Sequence, residues 1–241
     1  MNKDGTEQTN LTKSVTAELF PSVSDIGDKI AFVGEMDGNY DIYVVDNNGS
    51  NRKRLTHDER IDDWPSWRDD DRTIIFDYAD DGDYGIVRMD SSGANQHVLV
   101  DNTGRTVDPN TVNSSDWIVY SSDELDPGGN DTIFAYNVIT KETRPLTDLD
   151  IDAGGPAFSY DGEKIVFNAG NNTWDLYSMN ADGSNIKKLT SDAGDNNWGA
   201  FSPDGSEIAF TSNRNGGWHI FVMNADGSNV RQLTWAHKDK R

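Results

Sequence analysis

Residues 199–234 read GAFSPDGSEIAFTSNRNGGWHIFVMNADGSNVRQLT. Two turn sequences, SPDG at 202–205 and NADG at 224–227, separate short runs that are rich in β-branched and aromatic residues. Proline presets φ at the first turn position and glycine accepts a positive φ, so both sequences favour tight turns between antiparallel strands. The stretch therefore predicts four short strands joined by hairpins.

The same pattern occurs five times along the chain, at intervals of about 44 residues, a length typical of propeller repeats. The five copies start at Pro21, Pro65, Pro109, Pro156 and Gly199. An aromatic residue follows at one fixed distance from each start, namely Phe32, Phe76, Tyr120, Phe167 and Phe210. Each copy closes on a Leu-Thr pair or a similar one, at 55–56, 99–100, 146–147, 189–190 and 233–234. This constant register indicates one repeated structural unit.

Four antiparallel strands in about 44 residues make one blade of a β-propeller. A ring of blades buries both apolar faces of each blade and protects the strand edges. The sequence therefore predicts an all-β fold, a five-bladed β-propeller of four-stranded antiparallel blades in a single domain, 1–241. The predicted repeats are 13–56, 57–100, 101–147, 148–190 and 191–234. A six-bladed arrangement and a linear array are the less favoured alternatives.

Residues 1–12 resemble the turn and the fourth strand of the last repeat, since NKDG at 2–5 corresponds to NADG at 224–227. We therefore expect residues 1–12 to form an extra outer strand. Because the last repeat already has its own fourth strand, residues 6–12 are expected to pair at the outer edge of the last blade.

The charge of the chain excludes some classes of partner. There are 42 acidic and 21 basic residues, which gives a formal net charge of −21. Nucleic-acid binding needs a basic surface, and an anionic membrane would repel this chain. No apolar run approaches the ~20 residues of a membrane-spanning helix, so membrane insertion is not expected. The chain has no cysteine, which excludes disulfides and thiol chemistry.

The runs FSPDGSEIAF at 201–210 and IFVMNADGSNVRQLT at 220–234 resemble the WD-like repeat of TolB-type propellers. The resemblance covers nearly the whole chain. It implies a propeller that binds a protein, a peptide or a small ligand, and a periplasmic or extracellular location, although no signal peptide is recognisable at the start of this sequence. The same repeat forms the non-catalytic propeller of prolyl-oligopeptidase-like peptidases. A propeller fragment of a larger peptidase-like protein is therefore one alternative, and a small propeller glycoside hydrolase or lyase is another.

No catalytic residue is assigned from the sequence. The G-x-S-x-G motif of α/β-hydrolases is absent. The four histidines have no ligand spacing and are interpreted as surface residues: His57, His97, His219 and His237. Adjacent aspartates arise by chance in so acidic a chain, so they do not establish a glycosidase pair. No cofactor is expected, residues 46–51 are interpreted as a hairpin turn, and weak cation binding at residues 80–83 is left open.

Aromatic residues mark the predicted binding face. In a propeller, the loops between the second and third strands and the loops joining blades share one face. The first set of loops carries Tyr40, Tyr84, Trp174 and Trp218 at one repeat position, with Asp131 in the third repeat. The second set carries Phe20, Trp64 and Trp198, predicted to lie just before the first strand.

Aromatic rings among acidic side chains suit a protein or peptide segment or a carbohydrate, and the ligand should be neutral or cationic. The predicted binding residues are Tyr40, Trp64, Tyr84, Asp131, Trp174, Trp198 and Trp218. An insertion at 123–130 is expected on the same face, where loops carry function on a rigid scaffold. The alternative interpretation is that these rings only fill the space between blades. The sequence leaves the oligomeric state open.

Overall fold

The computed structural model describes residues 1–68, 71–102, 104–148, 151–191 and 194–235, and these form five antiparallel sheets. Blade 1 contains β1 (Glu18–Val23), β2 (Lys29–Met36), β3 (Asn39–Asp46) and β4 (Lys53–Arg54). Blade 2 contains β5 (Ile61–Arg68), β6 (Thr73–Asp80), β7 (Asp83–Asp90) and β8 (His97–Asn102). Blade 3 contains β9 (Thr106–Thr111), β10 (Trp117–Ser122), β11 (Thr132–Asn137) and β12 (Thr143–Pro145). Blade 4 contains β13 (Ala153–Phe158), β14 (Lys164–Ala169), β15 (Asp175–Asn180) and β16 (Lys187–Lys188). Blade 5 contains β17 (Asn196–Phe201), β18 (Glu207–Ser212), β19 (His219–Asn224) and β20 (Arg231–Gln232).

The predicted all-β, five-bladed propeller is confirmed. Within each sheet the strands follow the order of the chain, and the first strands β1, β5, β9, β13 and β17 pack one against the next around the axis. None of the described residues forms a helix, so none of them provides a helix able to cross a membrane.

The core lies between blades, which explains why the second and third strands are apolar on both faces. At the joint between blades 1 and 2, the small or β-branched side chains of Ala31 and Ile42 meet Ile74 and Phe76. The joint between blades 4 and 5 repeats this pairing. The aromatic residue at the fixed repeat position therefore packs against the preceding blade.

Each first strand contains a β-bulge. The bulge residue has a positive φ in every blade: Phe20 (49°), Trp64 (49°), Asp108 (58°), Gly155 (57°) and Trp198 (58°). A proline can follow because the ladder is interrupted there and no N–H is required. The bulge places Phe20, Trp64 and Trp198 inside the first strand, so the prediction that they precede it was wrong. An extra bulge residue is not visible in a period-2 pattern.

The repeated Leu-Thr pair extends the outer edge of the blade. The fourth strand of blade 1 is only two residues long, and the Thr56 hydroxyl then accepts a hydrogen bond from the Ile42 N–H at 3.0 Å. In blade 4 the Thr190 hydroxyl accepts from the Leu176 N–H at 2.9 Å. A side chain thus satisfies a buried backbone group where the ladder ends.

Residues 1–12, expected to form an extra outer strand, contain no strand, and the sheet of blade 5 ends at β20. The segment instead packs beside the sheet. A Cβ added at Gly5 would lie 2.1 Å from the Leu233 carbonyl oxygen, and one at Gly49 would lie 2.2 Å from that of Leu11.

The same contact of a turn glycine with a leucine carbonyl joins consecutive blades, as between Gly93 and Leu55 at 2.7 Å. Residues 2–12, which we call the N-terminal segment, therefore follow blade 5 and precede blade 1 in the ring. The expectation differs from the structure because the repeat pattern identifies a fourth-strand sequence but not the blade to which it belongs.

We expect Gly5→Ala to destabilise the fold more than Gly38→Ala. Both glycines have nearly the same φ, 84° and 85°, so both substitutions carry the same backbone strain of about 1–2 kcal/mol. Only the new methyl group at residue 5 meets a carbonyl, whereas nothing lies within 4 Å at residue 38. The clash should add about 1–3 kcal/mol, measured by denaturant unfolding. Equal losses in the two variants would show that the N-terminal segment does not dock on blade 5.

Candidate functional site

One face of the propeller carries most of the predicted binding residues. Each first strand starts beside the end of the second strand, since Glu18 pairs with Gly34 and Ile61 pairs with Ala79. The blade-joining segments and the turns between second and third strands, including the insertion at 123–130, therefore lie on one side, which we call the joining-loop face. In the insertion, the Asp123 carboxylate accepts hydrogen bonds from the N–H groups of Arg105 (2.6 Å) and Gly128 (2.9 Å).

An aromatic cluster lies at the axis. The rings of Phe20 and Trp64 stack with centroids 3.5 Å apart, and those of Trp64 and Trp198 are 4.5 Å apart. Trp198 remains 40% exposed. The bulges bring these three residues together, because each turns its side chain towards the axis from a different blade. The cluster thus combines two of the predicted residues with Phe20 and presents one accessible ring.

The other predicted residues stand apart from one another, one in each blade around the ring. Tyr40 is half-buried and packs against the core between blades 1 and 2, which agrees with the interpretation of inter-blade packing. Tyr84 and Trp174 are half-buried as well, whereas Trp218 is 55% exposed. Asp131 is buried and forms an ion pair with Arg105. The structure therefore does not assemble these five side chains into one patch.

Two carboxyl groups at the β-bulge of blade 3 were missed by sequence analysis. Asp77 is buried, and its Oδ1 accepts a hydrogen bond from the Asp108 N–H at 3.3 Å. Asp108 Oδ2 accepts from the Gly155 N–H at 3.2 Å and from the Ser121 hydroxyl at 3.5 Å. A signal was present, because Asp108 occupies the repeat position of Trp64. The many other aspartates concealed it.

Burial changes the charge of this region. Loss of hydration raises the pKa of Asp77 well above its usual range and that of Asp108 to about 7. The same cause raises the pKa of Asp63, next to Trp64, to about 6. Asp63 and Asp108 therefore ionise near neutral pH, so the negative potential around the aromatic cluster grows as the pH rises.

Burial also raises the pKa of two aspartates near the rim of the joining-loop face, Asp62 and Asp131. Asp62 is fully buried, and the nearest cation is Arg60, whose Nη2 lies 3.7 Å from the carboxylate. Burial raises the pKa of Asp62 to about 7. Burial also raises the pKa of Asp131 to about 6, against the opposing effect of Arg105. Among the residues that the structure describes, no group of three or more Asp, Glu, His or Cys side chains is arranged to hold a metal ion.

The opposite face carries a cavity of about 490 Å³. It is lined by turns between first and second strands and includes Asp25, Asp71 and Tyr160. The Asp71 carboxylate accepts hydrogen bonds from the N–H groups of Asp25 (2.6 Å) and Ile26 (3.1 Å). No local sequence pattern indicates this cavity, because it lies between turns of several blades. It is the competing location for a ligand.

Comparison with known proteins connects this architecture with a family. The family described as "TolB beta propeller domain" matches residues 77–241. Among curated proteins, none matches the chain by sequence.

Three solved structures show the similarity of fold. TolB from Acinetobacter baumannii is 20% identical with a TM-score of 0.82, covering 95% of this chain and 59% of that one. A protein of Agrobacterium tumefaciens assigned as TolB is 18% identical with a TM-score of 0.78, covering 93% and 83%. An oligogalacturonate lyase from Vibrio parahaemolyticus is 16% identical with a TM-score of 0.64, covering 90% and 65%. The chain thus spans 59% of the length of the Acinetobacter protein, and at such identities the likeness concerns the fold alone.

Proposed function

Because this chain belongs to the TolB β-propeller domain family, we propose that it is a non-catalytic binding propeller whose ligand lies on the joining-loop face. The observation that carries the proposal is the aromatic cluster of Phe20, Trp64 and Trp198, which leaves an accessible tryptophan at the axis. Partly exposed tryptophan on a rigid support is enriched at binding hot spots. The three rings are held by β-strands, so little side-chain entropy is lost when a ligand binds.

The ligand that fits best is a protein or peptide segment with a basic or apolar side chain. A cation above an aromatic ring is attracted by the ring face, and the carboxyl groups of Asp63 and Asp108 add negative potential nearby. A neutral sugar could stack on the same rings. A polyanion would be repelled by a chain of net charge −21. This repulsion counts against a substrate such as the oligogalacturonate in the name of the structurally similar lyase.

We expect Trp198→Ala to weaken peptide binding by about 1–3 kcal/mol, or roughly 5- to 150-fold in Kd. A library of basic and neutral peptides provides the probes, and fluorescence anisotropy of the strongest binder measures Kd. Trp64→Ala should weaken binding to a similar extent, and it should also lower stability because Trp64 stacks on both other rings.

Tyr160→Ala is the matched control, because Tyr160 is a 55% exposed aromatic residue at the cavity of the opposite face. Its Kd should equal that of the unmodified chain. If Tyr160→Ala abolished binding while Trp198→Ala did not, the ligand would lie on the opposite face and the proposal would be wrong.

A further inference from the structure

A small polar recess lies at Gly154, one residue before the β-bulge of blade 4. A methyl group added to residue 154 would lie 3.5 Å from the Ser121 hydroxyl oxygen. It would lie 3.7 Å from Asp108 Oδ2 and also 3.7 Å from Asn168 Nδ2. These three polar atoms come from β10, β9 and β14, so the recess lies where blades 3 and 4 meet. Because residue 154 has no side chain, the space between them stays unfilled.

The fold does not require glycine at residue 154. The next residue, Gly155, does need to be glycine, because its φ is 57° and an added Cβ would lie 2.6 Å from Asn168 Oδ1 and 2.8 Å from the Trp198 ring. Gly154 has no left-handed φ, and a methyl group there would meet its neighbours only at ordinary van der Waals distances. The other four blades carry a side chain at this repeat position, namely Leu19, Asp63, Val107 and Asn197. The recess is therefore a feature of blade 4 that packing does not explain.

Hydrogen-bond acceptors surround the recess. Asp108 Oδ2 accepts from the Gly155 N–H at 3.2 Å and from the Ser121 hydroxyl at 3.5 Å, and both contacts hold the carboxylate in place. Asn168 is only 4% exposed, and its Oδ1 atom has no hydrogen-bond partner in the part of the chain that the structure describes. A buried amide oxygen without a donor costs free energy, so this atom marks a place for a donor from outside the chain. A half-turn of the amide brings Oδ1 to the rim of the recess in place of Nδ2.

The size of the recess selects the kind of donor. A space bounded by three polar atoms around one missing side chain suits a compact group with several donors. An ammonium group carries three donors on one atom, whereas a guanidinium is a wide planar fork. Gly154 is the second residue of β13, close to the joining-loop face, and the adjacent Trp198 is 40% exposed. A long side chain can therefore enter from that face with its methylene groups along the tryptophan ring.

We propose that the recess at Gly154 binds the ammonium group of a lysine side chain. The proposal deepens the binding function proposed above and rests on it, because the peptide on the joining-loop face supplies the lysine. The carboxylate of Asp108, the amide oxygen of Asn168 and the hydroxyl oxygen of Ser121 accept the three hydrogen bonds of the ammonium group. Trp198 covers the methylene chain, so the aromatic cluster and the recess hold two parts of one side chain.

Peptide variants measure the preference for lysine. Each position of the strongest binder from the peptide library is replaced in turn by lysine, arginine or norleucine, which has the same methylene chain without the charge. Fluorescence anisotropy at pH 8, above the pKa of about 7 of Asp108, gives each Kd. At the position that reaches the recess, lysine should bind about tenfold or more tighter than norleucine. Arginine should gain much less, because its planar group does not fit.

Gly154→Ala fills the recess without crowding and should leave the melting temperature unchanged or slightly raised. It should keep the affinity for the norleucine peptide and remove the preference for lysine. Asn168→Leu removes the acceptor at similar size and should have the same effect. Gly217→Ala is the matched control, because Gly217 also has no left-handed φ and its added Cβ would lie no closer than 3.6 Å to any neighbour. It should keep the preference.

Two results would overturn the inference. One is equal binding of the lysine and norleucine peptides to the unmodified chain. The other is a lysine preference that survives in Gly154→Ala, since the general negative potential of the face would then cause it. If no peptide binds at all, the proposed function fails, and n-butylammonium tests the recess alone. It should shift the NMR signal of the Gly155 amide saturably in the unmodified chain and not in Gly154→Ala. The absence of that shift would overturn the inference as well.

Discussion

Asp62→Asn is expected to stabilise the folded chain by up to about 4 kcal/mol at pH 8 and to have little effect at pH 4. Asp62 is fully buried, and desolvation raises its pKa from 3.8 to about 7. Ionisation of this carboxyl group above pH 7 therefore costs free energy in the folded state that it does not cost in the unfolded chain. The amide of asparagine has nearly the same shape and cannot ionise, so the substitution removes that cost.

The direction of the pH dependence follows from proton binding. Between about pH 4 and pH 7 the folded state holds a proton at Asp62 that the unfolded state has lost, so the free energy of unfolding falls as the pH rises. Above pH 7 both states are ionised and the contribution is constant. The aspartates of the hairpin turns act in the opposite sense, since hydrogen bonds from Ser206 and Ser228 lower the pKa of Asp204 and Asp226. Their contribution is lost on acidification.

Urea unfolding at one-unit steps from pH 4 to pH 8 measures this effect. Asp83→Asn is the control, because it removes the same charge from an exposed position in the same blade. Its effect should be small and almost independent of pH. If Asp62→Asn followed the control at every pH, the stabilisation would come from reduced net charge and not from the burial of this carboxyl group.

Phe76→Ala is expected to destabilise the fold by about 3–5 kcal/mol, the range for a fully buried aromatic residue. Phe76 packs between blades 1 and 2 against Ala31 and Ile42. Its removal leaves a cavity with a β-sheet on each side, and two sheets held in a ring can collapse only slightly to fill it.

Phe32→Ala is the matched variant, since Phe32 holds the same repeat position in blade 1, where the described strands of blade 5 make no comparable packing contact. Its ring contacts Tyr43 and lies under Arg52, with no preceding complete blade against it. A loss of about 1–3 kcal/mol is expected, because the flexible arginine can fill the space that the ring leaves. Guanidinium unfolding of both variants gives the comparison. Equal losses would indicate that the face of blade 1 around Phe32 and Tyr43 is packed as tightly as the core between two blades.

The sequence by itself determined the blade and the number of complete blades. Three features depend on contacts within one repeat or with the next repeat, and these contacts recur along the chain. They are the positions of the strands, the turns at SPDG and NADG, and the aromatic residue at the fixed position. The Leu-Thr pair belongs to the same class, since Thr56 bonds to Ile42 within its own blade. Local chemistry of this kind is readable at a period of about 44 residues.

Only the tertiary structure decided how the candidate site is assembled. Phe20, Trp64 and Trp198 meet because a bulge with left-handed φ turns each towards the axis, and a period-2 pattern contains no signal for such a residue. The protonation of Asp62 and Asp108 depends on how much water the surrounding blades remove, so no single residue type reveals it.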